Sequence, residues 1–265
     1  MKPERKRYFI ELAFNGGAYH GWQIQKNAIS VQEVLNGVLS TVLRSEVQTL
    51  GCGRTDTGVH ATQLYAHFDD EEGTVEGREE RIVASLNALL PVDIAVKRLF
   101  VVAAEAHARF DAIKRSYEYH IHFSKNPFLH NFSWQLRERP NVAAMNEAAR
   151  QMMSYRDFSC FSKSHTQVFT NNCRLFRAEW RWLDEGRLVF YISADRFLRN
   201  MVRAIVGTLM EIGYRKHDPA YIHQVIKSKS RSAAGVSVPA CGLYLTEVLY
   251  PWDEQSENSK FKIQN

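Results

Sequence analysis

The run Gly51-Cys52-Gly53-Arg54-Thr55-Asp56-Thr57-Gly58-Val59-His60-Ala61 sets one carboxylate, Asp56, between an arginine two residues before it and a glycine two residues after it. Apolar, β-rich stretches flank the run, so it reads as a tight loop on a rigid scaffold, where reactive groups are commonly held. Asp and Thr side chains can satisfy turn backbone, and Gly53 and Gly58 permit backbone angles that other residues avoid. Arg54 favours the ionised, aimed form of Asp56 that a nucleophile or an electrostatic stabiliser requires. A proton donor needs the opposite surroundings. The bland alternative is a surface turn, which the same residue types make everywhere. A further alternative is the Asp-Thr-Gly of aspartic proteases, in which two carboxylates share one proton. That chemistry needs a second copy or a symmetric partner, and an apolar residue before the aspartate. This chain has no second copy, Thr55 precedes Asp56, and Arg54 opposes proton sharing.

Other residues invite chemistry less strongly. Tyr117 alternates with Tyr119, Ile121 and Phe123 on one face of a strand, which on its own describes a core aromatic. Arg196, Arg199 and Arg203 fall at i, i+3 and i+7, a stripe beside the apolar face of an expected helix, equally suited to solvent or to an anion. His120 and His122 form a His-x-His, but no carboxylate or cysteine cluster accompanies them, so no metal site is expected. The segment from Phe14 to Trp22 contains Gly16-Gly17 without the lysine and hydroxyl residue of a phosphate loop, and reads as a connection.

These residues need a frame. Strands are expected at 7–14, 47–53, 63–69 and 94–102, with a helix between the first two. Ser30 and Glu33 form a capping box for that helix, and Val31, Val34, Leu35, Val38, Leu39 and Val42 recur at helical spacing. A second helix, 79–90, ends before Pro91. Strand, helix, strand, strand, helix, strand is the order of a ferredoxin-like unit. The second half repeats it: a strand at 115–123, a helix from Pro140 to about residue 153, and strands at 174–182 and 187–194. A helix at 198–212, closed by Gly213, a short helix begun by Asp218-Pro219, and a last strand at 243–250 complete it. The order implies an α+β fold with domains at 1–105 and 106–252 and a polar tail at 253–265. The stretch 154–172 has no clear periodicity and carries Lys163, His165 and Asn171. It reads as an RNA-contacting segment or as a long connection.

With 265 residues, 45% hydrophobic and 24% charged, the chain has the makings of an ordinary globular core. A formal net charge of +5 makes a polyanionic partner plausible. Cys52, Cys160, Cys173 and Cys241 form no Cys-x-x-Cys pair, which argues against zinc and against a disulfide framework and fits a reducing cytoplasm. The basic start at Lys2, Arg5, Lys6 and Arg7 precedes a short apolar run containing Glu11. That is neither a signal peptide nor a membrane span.

The run from Gly53 to Ala61 resembles the signature of the tRNA pseudouridine synthase A family, with Thr57 where that family more often has alanine. Further resemblances follow in order: Ala108-Arg109-Phe110-Asp111-Ala112, Arg115-Ser116-Tyr117-Glu118-Tyr119, Asn200-Met201-Val202-Arg203-Ala204-Ile205-Val206-Gly207, and Gly242-Leu243-Tyr244-Leu245. The resemblance implies a pseudouridine synthase fold of two ferredoxin-like halves, with mainly antiparallel sheets flanking a central RNA-binding cleft. It implies isomerisation of uridine to pseudouridine in the anticodon stem-loop of tRNA, at tRNA positions 38, 39 and 40, by a cytoplasmic homodimer with no cofactor and no metal. By the same resemblance Asp56 is the nucleophile, Tyr117 stacks on the target base, Arg203 pairs with the catalytic carboxylate, and Leu243 or Leu245 packs on the uracil, with Arg54 among the substrate contacts. The rival from another class is a non-catalytic, basic RNA-binding or chaperone protein on the same scaffold. Such a protein would have no use for an ionised Asp56.

Overall fold

A computed structural model of the chain describes residues 5–162 and 170–252. Lys163 and His165 of the long stretch, Lys2, and the tail at 253–265 lie outside the described residues. The fold is mixed α and β. Two compact units make it up: residues up to Ile113 together with those from Leu245 on, and Lys114–Tyr244.

In the first unit the order is β1 (Lys6–Phe14), α1 (Val31–Leu43), β2 (Leu50–Gly51), β3 (His60–Asp70), α2 (Glu79–Leu89) and β4 (Ile94–Val102). β1 is the middle strand, antiparallel to both neighbours, with Leu12 opposite Leu64 of β3 and Phe9 opposite Phe100 of β4. A middle strand covered on both faces must be apolar throughout. Tyr8, Phe9, Ile10 and Leu12 are accordingly all buried. The one charge among them, Glu11, is buried but accepts from Arg98 Nε, from Tyr65 Oη at 2.9 Å and from Gln63 Nε2 at 3.1 Å. Burial raises its pKa, but these donors outweigh that and hold the carboxyl below the usual glutamate value.

The sequence pattern predicts a strand over 47–53, yet β2 is only two residues long. The reason lies in α1. Ser40 Oγ accepts from Val47 N at 2.9 Å and Asn36 Oδ1 from Thr49 N at 3.1 Å, so helix side chains take the amides a strand neighbour would have used. α1 itself starts where the capping box places it, with Ser30 Oγ accepting from Glu33 N at 3.2 Å.

The second unit runs β5 (Lys114–His122), β6 (Trp134–Gln135), α3 (Val142–Met152), β7 (Leu175–Asp184), β8 (Arg187–Ala194), α4 (Met201–Gly213) and α5 (Tyr221–Ser228). β8 lies between β5 and β7, antiparallel to both, and β6 pairs in parallel with β5. Each unit uses the same device on one strand. Asn87 of α2 donates to Val96 O and accepts from Val96 N, both at 2.8 Å. Asn146 of α3 does the same to Trp180 at 3.0 and 2.7 Å. These bonds satisfy outward-facing groups of β4 and β7 that would otherwise template another strand.

The last strand, β9 (Leu243–Leu249), begins in the second unit and ends in the first. Residues 106–113 and the described chain from Leu245 belong to the first unit. Ile113 N donates to Leu249 O at 2.9 Å, and Tyr250 Oη donates to Ala108 O at 2.7 Å. The Tyr250 ring meets Phe9 and Tyr65 edge-on at 5.3 and 5.4 Å. Part of the 154–172 stretch is described. It holds one turn of 3-10 helix at Ser159–Phe161 and a bridge between Asp157 and Asn172.

Candidate active site

Asp56 opens a four-residue turn closed by a 3.1 Å bond from Val59 N to Asp56 O. Gly58 sits at its third position with φ of 78°, where a side chain is strained and glycine is not. The turn therefore fixes the backbone of Asp56 itself. Gly53, expected to need similar freedom, does not: its φ is not positive, and a Cβ there would meet nothing within 4 Å.

The segment read as a mere connection is the cradle of this turn. Gly21 has φ of 86°, and a Cβ on it would lie 2.3 Å from Thr55 O and 3.2 Å from Asp56 C. A Cβ on Gly16 would lie 1.9 Å from Val59 O. Backbone touches backbone on both sides of Asp56, a closeness only glycine allows. Two bonds tie the surfaces together: Gly16 N to His60 Nδ1 at 3.1 Å and Gly58 N to Tyr19 O at 3.3 Å. His60 is buried and its Nδ1 is this acceptor. The cradle is anchored in turn. Val31 N bonds Gly21 O at 3.2 Å, Gln32 N bonds Trp22 O at 2.9 Å, and the buried Trp22 indole lies against Gly51. The only sequence signal was the pair of glycines at 16 and 21, and nothing in a single sequence tells which backbone they approach.

Asp56 is half-buried, and Arg54 is exposed with no ion pair among the described residues. The turn and its cradle fix the backbone that carries Asp56.

In the second unit Tyr117 stands on β5 opposite Ile192, on the face it shares with Tyr119 and Ile121. Tyr119 and Ile121 are fully buried, but Tyr117 is half-buried and meets the Phe197 ring edge-on at 5.1 Å. Arg203 lies in the first turn of α4, with Nε donating to Val238 O at 2.7 Å while its own carbonyl accepts from Val238 N at 3.3 Å. The expected arginine stripe does not form. Asn200 takes φ of 66° just before α4, so Arg196 and Arg199 lie ahead of the helix rather than on its face. Leu243 and Leu245 are both buried, and as i and i+2 of β9 they point the same way.

His120 Nε2 bonds Glu118 Oε2 at 2.9 Å, while His122 is buried, which lowers its pKa. Among the described residues no group of three or more His, Cys, Asp or Glu could hold a metal ion. No helix among them is long and apolar enough to cross a membrane.

A family model described as tRNA pseudouridine synthase matches residues 148–251. A protein of Bacteroides thetaiotaomicron named tRNA pseudouridine synthase A is 48% identical over 262 residues, 97% of this chain and 96% of that one. The protein of the same name from Bacteroides fragilis is 47% identical over 246 residues, covering 93% and 97% of the two chains. One from Thermoanaerobacter sp. is 36% identical over 247 residues, covering 92% of this chain and 100% of its own.

Proposed function

This chain belongs to the tRNA pseudouridine synthase A family, and from that premise we propose that it isomerises uridine to pseudouridine in tRNA with Asp56 as the nucleophile. The reaction breaks the bond from C1′ of the ribose to N1 of the base, turns the uracil, and rejoins it through C5. Atoms and electrons balance within the substrate, so the reaction calls for no redox partner and no energy source. It does call for a carboxylate held at the sugar–base junction. The observation that carries the assignment is the half-buried Asp56 on a turn braced by the backbones of Gly16 and Gly21. A group fixed this way loses little entropy when the substrate arrives. Unmodified tRNA transcripts incubated with the protein and then mapped chemically for pseudouridine test the proposal. No new pseudouridine would refute it.

The finer reading follows the family resemblance. The substrate site is the 3′ side of the anticodon stem-loop, the protein is a cytoplasmic homodimer, and the fold is two ferredoxin-like halves flanking an RNA-binding cleft. Tyr117 stacks on the flipped uracil, Arg203 pairs with the catalytic carboxylate, Leu243 or Leu245 packs on the base, and Arg54 contacts the substrate. The partial exposure of Tyr117, beside the fully buried Tyr119 and Ile121, supports its role, since a buried base must leave its stack before chemistry and an aromatic face stabilises it outside.

Tyr117→Leu is expected to lose most of its turnover while staying folded and binding tRNA. The lost stack costs on the order of 1–3 kcal/mol, and any part of the hydroxyl in proton movement adds to that. Tyr117→Phe separates the two contributions: near-normal rate assigns stacking, and a rate as low as that of the Leu variant assigns the hydroxyl. Normal turnover in Tyr117→Leu would make Tyr117 a core residue only.

Affinity for tRNA is expected to fall steeply and linearly on a plot of log K against log salt, because each phosphate contact releases counterions. The net charge of +5 motivates this expectation. Titrations across a fourfold range of salt read the slope directly, and a flat line would count against an extended RNA interface.

A further inference from the structure

We infer that Phe110, with Arg109 beside it, is a preorganised platform on which an unstacked base of the tRNA stacks. The inference rests on the reading of the chain as a tRNA-modifying enzyme and adds a contact to it.

Phe110 leaves 74% of its surface in solvent, yet the loop beneath it is pinned at almost every backbone group. Ala108 N donates to His67 Nδ1 at 3.1 Å, and Ala108 O accepts from Tyr250 Oη at 2.7 Å. His107 Nδ1 accepts from both Arg109 N at 3.1 Å and Phe110 N at 3.3 Å. Asp111 closes the loop, its Oδ2 accepting from His107 N at 2.7 Å and its own amide donating to His107 O at 3.1 Å. Arg7 reaches up from β1 to Ala106 O at 3.0 Å.

The rings form a ladder leading outward from the core. Phe9, fully buried, stacks on His67 at 5.9 Å; His67 meets His107 edge-on at 4.8 Å; and His107 lies 4.3 Å from Phe110. The Arg109 guanidinium is 5.7 Å from the Phe110 centroid. Burial lowers the pKa of His67 to about 4 and also lowers that of His107, so both rings stay neutral at pH 7 and keep Nδ1 as an acceptor.

Holding an apolar ring rigidly in water costs free energy unless something covers it. Phe128 is more exposed, at 87%, but no ring or cation lies against it among the described residues. The size and chemistry of the Phe110 patch choose the partner. Its exposed neighbours along the chain, Ala103, Ala104, Glu105 and Arg109, are small or charged, and Phe110 is the only exposed aromatic residue of that stretch. A stable protein interface takes about 800 Å² from each partner and several such anchors. A single exposed ring with a guanidinium 5.7 Å from its centroid matches one base and its phosphate.

Equilibrium binding of an unmodified tRNA transcript at fixed salt tests this. Phe110→Ala is expected to weaken binding about tenfold, the scale of one lost base–aromatic stack. Its thermal midpoint should not move, because so little of the ring is buried. Phe110→Trp keeps a π-face and is expected to bind like wild type. Phe110→Leu keeps apolar surface without one and is expected to bind as weakly as Phe110→Ala. Binding by Phe110→Ala within twofold of wild type overturns the inference, as does full affinity in Phe110→Leu. A change of oligomeric mass in Phe110→Ala, read by sedimentation, would assign the ring to a protein contact and overturn it too. A wild-type protein that neither binds nor modifies the transcript would overturn the functional reading along with it, an outcome distinct from failure of the variants alone.

Discussion

Asp56→Asn and Asp56→Ala are expected to form no detectable pseudouridine while binding tRNA nearly as tightly as wild type. Asparagine keeps the size and the turn-forming capacity of aspartate but removes the negative charge and the nucleophile. The bond that closes the turn runs between backbone groups, Val59 N and Asp56 O. Gly58 and the Gly16 and Gly21 contacts are backbone features as well, so the loop should keep its shape in both variants. The expected loss is therefore chemical rather than structural. It should appear as an unchanged thermal midpoint, a near-normal Kd and a vanished rate. Single-turnover mapping of pseudouridine over hours sets the floor. Wild-type modification by Asp56→Ala would remove Asp56 from the chemistry, and a large loss of affinity would make it a binding group instead.

Where local pattern and tertiary demand agreed, the sequence was readable. The capping box at Ser30 and Glu33 placed the start of α1 correctly, and the alternation of Tyr117, Tyr119 and Ile121 placed them on one strand face. Misreadings came where a side chain or a single backbone angle outweighed the pattern. Asn36 and Ser40 reach from α1 to occupy amides at 47–49, which left β2 two residues long. Asn200 in a left-handed conformation starts α4 at Met201 and breaks the arginine stripe expected across it. Asparagine tolerates that angle, but it also caps helices with extended backbone, as Asn141 does for α3, and periodicity does not distinguish the two. The loop at Asp56 was legible as a turn, down to Gly58. Its cradle was not, because a glycine chosen for close approach carries no mark of what approaches it.

That cradle sets the second large effect. Gly21→Ala is expected to lower turnover by about a hundredfold or more, the scale on which misplacing a reacting group by an ångström slows a reaction. Two penalties combine at this position. At φ of 86° a Cβ is strained, at a cost of about 1–3 kcal/mol. The added atom would also lie 2.3 Å from Thr55 O, a backbone atom that cannot rotate aside. Relief requires Thr55 or Gly21 to shift, and Thr55 carries Asp56 with it. The strain is separable from the displacement, because Gly77 offers a control. It has φ of 70° but open space around a Cβ, so Gly77→Ala bears the backbone strain without pressing on the Asp56 loop. Gly77→Ala should lose the stability that the backbone strain alone costs, and Gly21→Ala should lose more, since the clash with Thr55 O adds to it. Only Gly21→Ala should lose turnover when assayed with saturating tRNA well below its midpoint. Equal loss of turnover in the two would reduce the effect to general destabilisation. Wild-type turnover in Gly21→Ala would mean that the contact at Thr55 does not hold the reacting carboxylate in place.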